Sequence, residues 1–324
     1  MIRFDGRVAV VTGAGSGLGR AHAHLLAARG ATVMVNDLTP AAAQTVADEI
    51  VNAGGLASPF AADVASPAGA DALVAAAVEA HGRLDIVVNN AGMLRAADIG
   101  EMSNDLFDQM LAVNLGSVFR VVWAAWPHLA AQGYGRIVST TSNSGLLGTA
   151  GSTGYAAAKA GIWGLTLSLA LEGCPLGIHV NAIGPMAFTP MSQQSRVAPE
   201  SWRSGEGDAW GRRLHVNQVS PAVAWLAHES CDVTGQIWSS AGGRVARFAL
   251  GLTHGFDSDA LTIEQVRDKE HAIVDISAPL DYFVNSGDEG RALHRRLMPP
   301  APRDGSASVA GGSVAGMVEP VERW

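Results

Sequence analysis

The chain has 324 residues, of which 48% are hydrophobic and 16% are charged, and its formal net charge is −8. This composition excludes an intrinsically disordered chain, because such chains are poor in apolar residues. The acidic balance and the lack of a run dense in Lys and Arg argue against nucleic acid or a membrane surface as the main partner. No apolar run reaches the roughly 20 residues that span a bilayer, and two cysteines are too few for a disulfide framework. We therefore expect a soluble protein of a reducing cytoplasm.

Short apolar runs alternate with Ala/Leu-rich stretches along the first 250 residues. The runs lie at 7–12, 31–36, 85–89, 136–141 and 178–183. Their hydrophobicity is continuous rather than alternating, which is typical of strands that are buried on both faces of a parallel sheet. Alternating strand and helix units predict an α/β fold, a doubly wound parallel sheet of the Rossmann type with helices on both faces.

The composition changes towards the end of the chain. Residues 244–324 hold 21 charged residues in 81 positions, whereas the preceding 243 positions hold 31. We expect residues 1–250 to form the main domain and residues 251–298 to form an appended, partly helical segment, with one helix at 262–273. The stretch 299–324 is rich in Ala, Gly, Ser and Pro and is predicted to be a flexible tail.

A glycine-rich turn follows the first predicted strand and opens the first predicted helix. Glycines let the backbone approach a pyrophosphate, and the first N–H groups of a helix attract its negative charge. The spacing differs from the G-x-G-x-x-G fingerprint, and a tight turn without a ligand is the alternative. The predicted cofactor-binding residues of this turn are Gly13, Ser16, Gly17, Leu18 and Gly19.

Asp37 follows the second predicted strand, 18 residues after Gly19. An acidic side chain at this point accepts hydrogen bonds from an adenosine ribose and repels the 2′-phosphate of NADP, so NAD is the predicted cofactor. A turn-forming Asp is the alternative. Asp63 and Val64 follow the third strand and are expected near the adenine.

Tyr155 and Lys159 lie four residues apart in an alanine-rich helical segment. This spacing places both side chains on one face of the helix. An adjacent ammonium stabilises a phenolate, so Tyr155 is the predicted acid/base and Lys159 is expected to lower its pKa.

Two further polar residues are expected near this pair. Ser142 ends a predicted strand 13 residues before Tyr155, and its hydroxyl is predicted to polarise a substrate oxygen. Ser139 and Ser144 are competing candidates for that role. Asn114 interrupts an apolar helical stretch, where a buried amide can hold a water that relays protons to Lys159. The histidines have no partners at metal-ligand spacing, so no metal site is predicted.

Together these residues resemble the short-chain dehydrogenase/reductase family, classical type. The resemblance covers residues 6–245 and rests on the motifs at 12–19, 89–92, 155–159 and 181–185 with Asn114 and Ser142. It implies a catalytic tetrad of Asn114, Ser142, Tyr155 and Lys159, with Lys159 and Tyr155 also holding the cofactor. The resemblance further implies a homodimer or homotetramer and cofactor contacts from Asn90, Ala91, Gly92 and Pro185.

Within this family the chain is similar to the D-3-hydroxyacyl-CoA dehydrogenases found in peroxisomal multifunctional enzymes, a group also described as 17β-hydroxysteroid dehydrogenases. The similarity is carried by the segments 3–8, 35–38, 82–95, 133–138 and 225–231. Large apolar residues after Pro185 are expected either to cover a hydrophobic substrate or to pack in the core: Met186, Phe188, Met191, Trp202 and Trp210. Basic residues in the same stretch would meet CoA phosphates or form a solvated face: Arg196, Arg203, Arg212 and Arg213.

The sequence therefore predicts an NAD-dependent oxidoreductase that transfers hydride between the nicotinamide and a hydrophobic secondary alcohol or ketone. The leading substrates are a 3-hydroxyacyl-CoA and a hydroxysteroid. The alternatives are a 3-ketoacyl thioester reductase and a catalytically silent NAD-binding regulator.

Overall fold

The computed structural model describes residues 1–194, 200, 213–283 and 285–297. Contacts divide the chain into two units, Met1–Phe248 and Ala249–Trp324. The predicted tail and five residues of the predicted substrate segment lie outside the described residues: Arg196, Trp202, Arg203, Trp210 and Arg212.

The first unit is built on an eight-stranded sheet with the order β3-β2-β1-β4-β5-β6-β7-β8. Strands β1 to β7 are parallel, and β8 runs antiparallel to β7. The predicted doubly wound parallel sheet is therefore confirmed. The strands are β1 Val8–Val11, β2 Thr32–Asp37, β3 Leu56–Ala61, β4 Ile86–Asn89, β5 Gly135–Thr140, β6 Ile178–Met186, β7 Ile237–Ala241 and β8 Arg244–Phe248.

Helices cover both faces of this sheet. Leu26, Ile50 and Leu226 pack against one face, and Leu73 and Ile162 belong to the core on the other. The helices are α1 Gly17–Ala28, α2 Pro40–Asn52, α3 Pro67–His81, α4 Asn104–Leu111, α5 Ser117–Gln132, α6 Asn143–Leu147, α7 Thr153–Gly173 and α8 Ser220–Leu226. The strand order reverses between β1 and β4, and in open α/β sheets a ligand crevice forms outside the carboxyl ends of the strands at such a point.

Among the described residues, one stretch, Asn104–Gln132, is long and apolar enough to cross a membrane by length and composition. It comprises α4, a π-helical turn at Ala112–Gly116, and α5. Val121 and Leu129 of α5 are fully buried in the core against the sheet. Packing against the sheet therefore accounts for much of the apolar character of this stretch.

Within its described residues, the second unit contains an antiparallel pair, β9 Gly251–Leu252 and β10 Asp281–Tyr282, and three helices. The helix predicted at 262–273 is two short helices, α9 Ile263–Asp268 and α10 Glu270–Val274, and α11 Ser286–Leu297 follows. A capping box between Thr262 and Gln265 starts α9. The break falls at Lys269, whose φ of −105° and ψ of 9° depart from helical values.

Candidate active site

The glycine turn is held against the end of β4 by a network of hydrogen bonds. Thr12 follows β1, and its Oγ1 accepts the backbone N–H groups of Asn90 at 3.0 Å and Ala91 at 3.1 Å. The Nδ2 of Asn90 donates back to the carbonyl oxygens of Thr12 and Gly13, both at 3.1 Å. A Cβ on Gly13 would lie 2.8 Å from the Cα of Ala91, so only glycine allows this close approach. Asn90 and Ala91 therefore fix the shape of the turn.

The turn presents backbone donors to the crevice. Ser16 stands at the N-cap of α1, yet its side chain makes no capping hydrogen bond. The first N–H groups of a helix lack partners within it, and they attract an anion. Gly17 has a φ of +55°, and the atoms nearest to a Cβ placed there are 3.8 Å away on Thr189. The uncapped helix start and the side-chain-free turn fit the pyrophosphate of a dinucleotide.

Asp37 lies at the end of β2 beside this turn. Its Oδ2 accepts the backbone N–H of Gly15 at 3.0 Å, and its Oδ1 accepts that of Thr39, also at 3.0 Å. A Cβ on Gly15 would be 2.7 Å from Oδ2, so glycine is needed for this contact as well. The carboxylate is thereby fixed beside the glycine turn, and its contact with a ribose diol stays a prediction.

A cavity of about 490 Å³ extends from the glycine turn to the start of α7. The residues of the turn and of β2 that line it are Gly13, Ser16, Gly17, Leu18 and Asp37. The residues that line it from β4, from the segment after β5, from α7 and from β6 are Asn90, Ala91, Gly92, Ser142, Tyr155, Lys159 and Pro185. The structure thus brings most of the predicted cofactor and catalytic residues to one cavity.

Ser142 and Tyr155 both line the cavity, and the Ser142 side chain acts on Tyr155 as a hydrogen-bonding partner that lowers its pKa. The Ser142 Oγ also donates to the Oδ1 of Asn143 at 3.3 Å. Ser142 is the N-cap of α6, and its Oγ accepts the backbone N–H of Ser144 at 3.1 Å. The Nζ of Lys159 lies 5.7 Å from the centroid of the Tyr155 ring and donates to the carbonyl oxygen of Thr140 at 2.6 Å. A hydroxyl pair and an amine therefore share one end of the cavity.

Burial is the largest cause of the pKa shifts of Tyr155 and Lys159. It raises the pKa of Tyr155 above its ordinary value, and the hydrogen bond with Ser142 acts in the opposite direction. It lowers the pKa of Lys159 to about 7. Removing both groups from water favours their neutral forms, and the expectation that Lys159 lowers the pKa of Tyr155 stays a prediction.

Asn114 does not line the cavity but lies behind it in the π-helical turn. Its side chain is fully buried, donating to the carbonyl oxygen of Met110 at 3.0 Å and accepting the N–H of Met93 at 3.0 Å. A Cβ on Gly92 would be 2.7 Å from Asn114 Oδ1 and 3.7 Å from Lys159 Nζ. The Asn114 amide and the Lys159 amine thus both lie next to the space that a side chain at position 92 would fill.

Three other predicted cofactor residues also lie outside the lining of the cavity. Gly19 packs tightly inside the turn, since a Cβ there would be 2.3 Å from the carbonyl oxygen of Gly13. The Asp63 Oδ1 accepts the N–H of Ala65 at 2.9 Å, and Val64 is buried in the core. Contacts from Asp63 and Val64 to an adenine stay a prediction.

The lining of the cavity includes two of the apolar residues expected after Pro185 and adds residues that the sequence reasoning missed. Met186 and Met191 line it, whereas Phe188 packs against the buried Leu214. Further lining residues are Leu94, Thr140, Asn143, Thr149 and Thr189. The signal available in the sequence was that they lie at or after the carboxyl ends of β4, β5 and β6.

The comparisons with known proteins agree with this geometry. The family model described as short chain dehydrogenase matches residues 7–200. The chain is 40% identical over 310 residues to the mouse peroxisomal multifunctional enzyme type 2, a match that covers 91% of this chain and 40% of that enzyme. It is 42% identical over 256 residues to a hydroxyacyl-CoA dehydrogenase of Mycobacterium tuberculosis, covering 75% of this chain and 79% of the relative.

A solved structure gives the same result. The full-length peroxisomal multifunctional enzyme type 2 of Drosophila melanogaster superposes with a TM-score of 0.75 at 32% identity, over 91% of this chain and 50% of that one. The chain spans less than half the length of the mouse enzyme. The family match covers more than half of the chain and agrees with the sheet order and the glycine turn. The chain therefore belongs to the short-chain dehydrogenase family, whose members are oxidoreductases that act on CH–OH groups with nicotinamide cofactors.

Proposed function

We propose that this protein transfers hydride between NAD and a hydrophobic secondary alcohol or ketone, with a 3-hydroxyacyl-CoA as the leading substrate. The single observation that carries the proposal is that Ser142, Tyr155 and Lys159 line the same cavity as the glycine turn, with Lys159 one helical turn after Tyr155. The cofactor site and this catalytic group both belong to the proposed domain at residues 1–250. The name of the mycobacterial relative, a hydroxyacyl-CoA dehydrogenase, supports the acyl-CoA class.

Each polar residue has a distinct role in this proposal. A bound nicotinamide supplies the carbon that accepts or releases hydride. Tyr155 moves the proton on the substrate oxygen, and Ser142 holds that oxygen by a hydrogen bond. Lys159 binds the cofactor ribose and exchanges protons with Tyr155, and Asn114 positions the relay behind Gly92.

Asp37 supports NAD over NADP. Its carboxylate is fixed by two backbone N–H groups and lines the cavity at the glycine turn. A ribose diol can donate hydrogen bonds to this carboxylate, whereas a 2′-phosphate would be repelled by it. The next two residues, Leu38 and Thr39, bring no positive charge.

The lining of the cavity supports a hydrophobic substrate. Leu94, Met186, Pro190 and Met191 contribute apolar surface near the hydroxyl pair. An acyl chain and a steroid ring both fit this chemistry. A 3-oxoacyl thioester reductase is the second candidate, because the raised pKa of Tyr155 keeps the phenol protonated at neutral pH, as a proton donor in reduction must be.

We also propose a homo-oligomer. A second cavity of about 470 Å³ is lined by residues of α3, α5 and α7, and Trp123 on its rim is 63% exposed. Burial of this apolar surface would favour association of two copies. A cytoplasmic location stays a prediction.

The test follows NADH absorbance with the full-length chain and a panel of 3-hydroxyacyl-CoA and hydroxysteroid substrates in both directions. Turnover with NAD is expected, and Tyr155→Phe is expected to lower kcat by more than about 100-fold while NAD binding is retained. Tyr282→Phe, an exposed tyrosine of the second unit, is the matched control. A lack of turnover by the wild type with intact NAD binding would favour the silent regulator.

A further inference from the structure

Two hydroxyls that the proposed mechanism does not use lie next to Ser142. Ser144 and Thr149 both line the active-site cavity, and their Oγ atoms are 2.9 Å apart. The Thr149 Oγ1 is also 2.9 Å from the carbonyl oxygen of Gly148. Because the proposed mechanism assigns the substrate oxygen to Ser142 and Tyr155, Ser144 is left for a different use.

Each of these hydroxyls carries one proton, so two arrangements exist. In the first, Thr149 donates to Gly148 and Ser144 donates to Thr149, which uses both protons. In the second, Thr149 donates to Ser144, and the Ser144 proton then has no acceptor within the described part of the chain. The two differ only in the rotation of O–H bonds. Gly148 is exposed, so water can replace the hydrogen bond that its carbonyl oxygen loses. The pair can therefore donate one hydrogen bond into the cavity at little cost.

The position and charge of the pair define the acceptor. The backbone N–H of Ser144 contacts the Ser142 Oγ at 3.1 Å, so a ligand atom at Ser144 lies close to the reacting oxygen but is distinct from it. Among the described residues, the charged side chains that line the cavity are Asp37 and Lys159, and both have roles in cofactor binding. A neutral donor such as Ser144 suits a carbonyl oxygen, whereas a carboxylate is bound most strongly by a cation.

We propose that Ser144, supported by Thr149, donates a hydrogen bond to the thioester carbonyl of a 3-oxoacyl or 3-hydroxyacyl substrate while Ser142 and Tyr155 hold the oxygen at C3. The inference rests on the proposed function and narrows it. A 3-oxoacyl thioester carries two carbonyl groups separated by one carbon, which places its second acceptor beside the first. A ketone without the adjacent carbonyl offers no partner to Ser144.

The test compares two substrates of the full-length chain in the NADH-dependent direction: a 3-oxoacyl-CoA and a 2-alkanone of matched chain length. Ser144→Ala is expected to lower kcat/KM for the thioester about fivefold to tenfold, the effect of one neutral hydrogen bond, and to change that for the ketone less than about twofold. Thr149→Val is expected to act in the same direction, and Thr149→Ser to restore the wild-type ratio. Ser144→Ala keeps the backbone N–H that contacts Ser142, and the ketone reports any general damage to the site.

The outcomes separate this inference from the function on which it rests. Equal losses for both substrates, or a loss for neither, would overturn the role of Ser144 while leaving the proposed function in place. Wild-type turnover of the ketone without turnover of the thioester would overturn the inference and keep hydride transfer. Turnover of no substrate in the panel would remove the proposed function, and the inference with it.

Discussion

The hydroxyl of Thr12 is expected to hold the cofactor turn in place, and Thr12→Val tests this. Thr12 is 2% exposed, and its Oγ1 accepts the N–H groups of both Asn90 and Ala91. Valine has nearly the same shape, so the substitution leaves the packing but removes the acceptor of two backbone donors. An unsatisfied buried donor costs about 1–3 kcal/mol.

The position of the two donors decides which end of that range applies. Asn90 and Ala91 are half-buried at the cavity, so water can reach part of the exposed backbone. The lower value applies to each, and the free energy of unfolding should fall by about 2 kcal/mol. For a domain of this size, such a loss lowers Tm by about 4–8 °C. The turn should also hold NAD less tightly, since the same hydrogen bonds set its shape.

Urea unfolding, NAD titration and hydrogen exchange of the segment 89–92 measure these effects. Thr12→Ser is the matched control, because it keeps the hydroxyl and loses only one buried methyl group, about 1 kcal/mol. The amides of Asn90 and Ala91 should lose protection in Thr12→Val but keep it in Thr12→Ser. The reasoning is refuted if Thr12→Val unfolds within about 0.5 kcal/mol of the wild type with unchanged amide protection.

Three further predictions concern charge. Asp37→Ala should reduce the preference for NAD over NADP by about tenfold or more in kcat/KM, and an unchanged ratio would contradict the ribose contact. Because burial raises the pKa of Tyr155, the rate of ketone reduction should be high near neutral pH, and the rate of alcohol oxidation should keep rising towards pH 10. A plateau of the oxidation rate near pH 7 would indicate that the pKa of Tyr155 is lowered instead. Burial alone would raise the pKa of Asp85, but hydrogen bonds from Arg83, the backbone N–H of Val8 and Arg7 outweigh it and the pKa is lowered. Its charge therefore stabilises the fold at neutral pH and stops doing so as the pH falls below about 4. Asp85→Asn should lower the free energy of unfolding at pH 7 by about 1–3 kcal/mol, since the arginines are partly exposed, and urea unfolding at pH 3 should show a smaller difference.

Local patterns predicted the parts of the site that lie close together in the chain. The glycine turn is set by backbone requirements within a few residues, and a Cβ at Gly13, Gly15 or Gly19 would overlap neighbouring atoms. The pairing of Tyr155 with Lys159 follows from helical periodicity alone. Continuous apolar runs likewise predicted the buried strands β1, β4 and β5, because a strand covered on both faces has no polar side.

Contacts between distant segments could not be predicted in this way. The hydrogen bonds of Thr12 to Asn90 join residues 78 positions apart, and Asn114 reaches the site only because glycine at position 92 leaves room. Ser142 and Ser144 line the cavity whereas Ser139 is buried beside Asn89, a difference that depends on where β5 ends and α6 begins and that neighbouring serines in a sequence do not reveal.

The sequence by itself determined the parallel sheet, the dinucleotide turn and the spacing of the phenol and the amine, because each depends on the steric and periodic properties of a short segment. Only the tertiary structure decided how those segments affect one another. It raised the pKa of Tyr155 through burial, buried Asn114 outside the lining of the cavity and brought Ser144 and Thr149 into that lining. The physical reason is that desolvation and hydrogen-bond partnership depend on atoms far away in the chain, whose positions are set only when the sheet and its helices pack together.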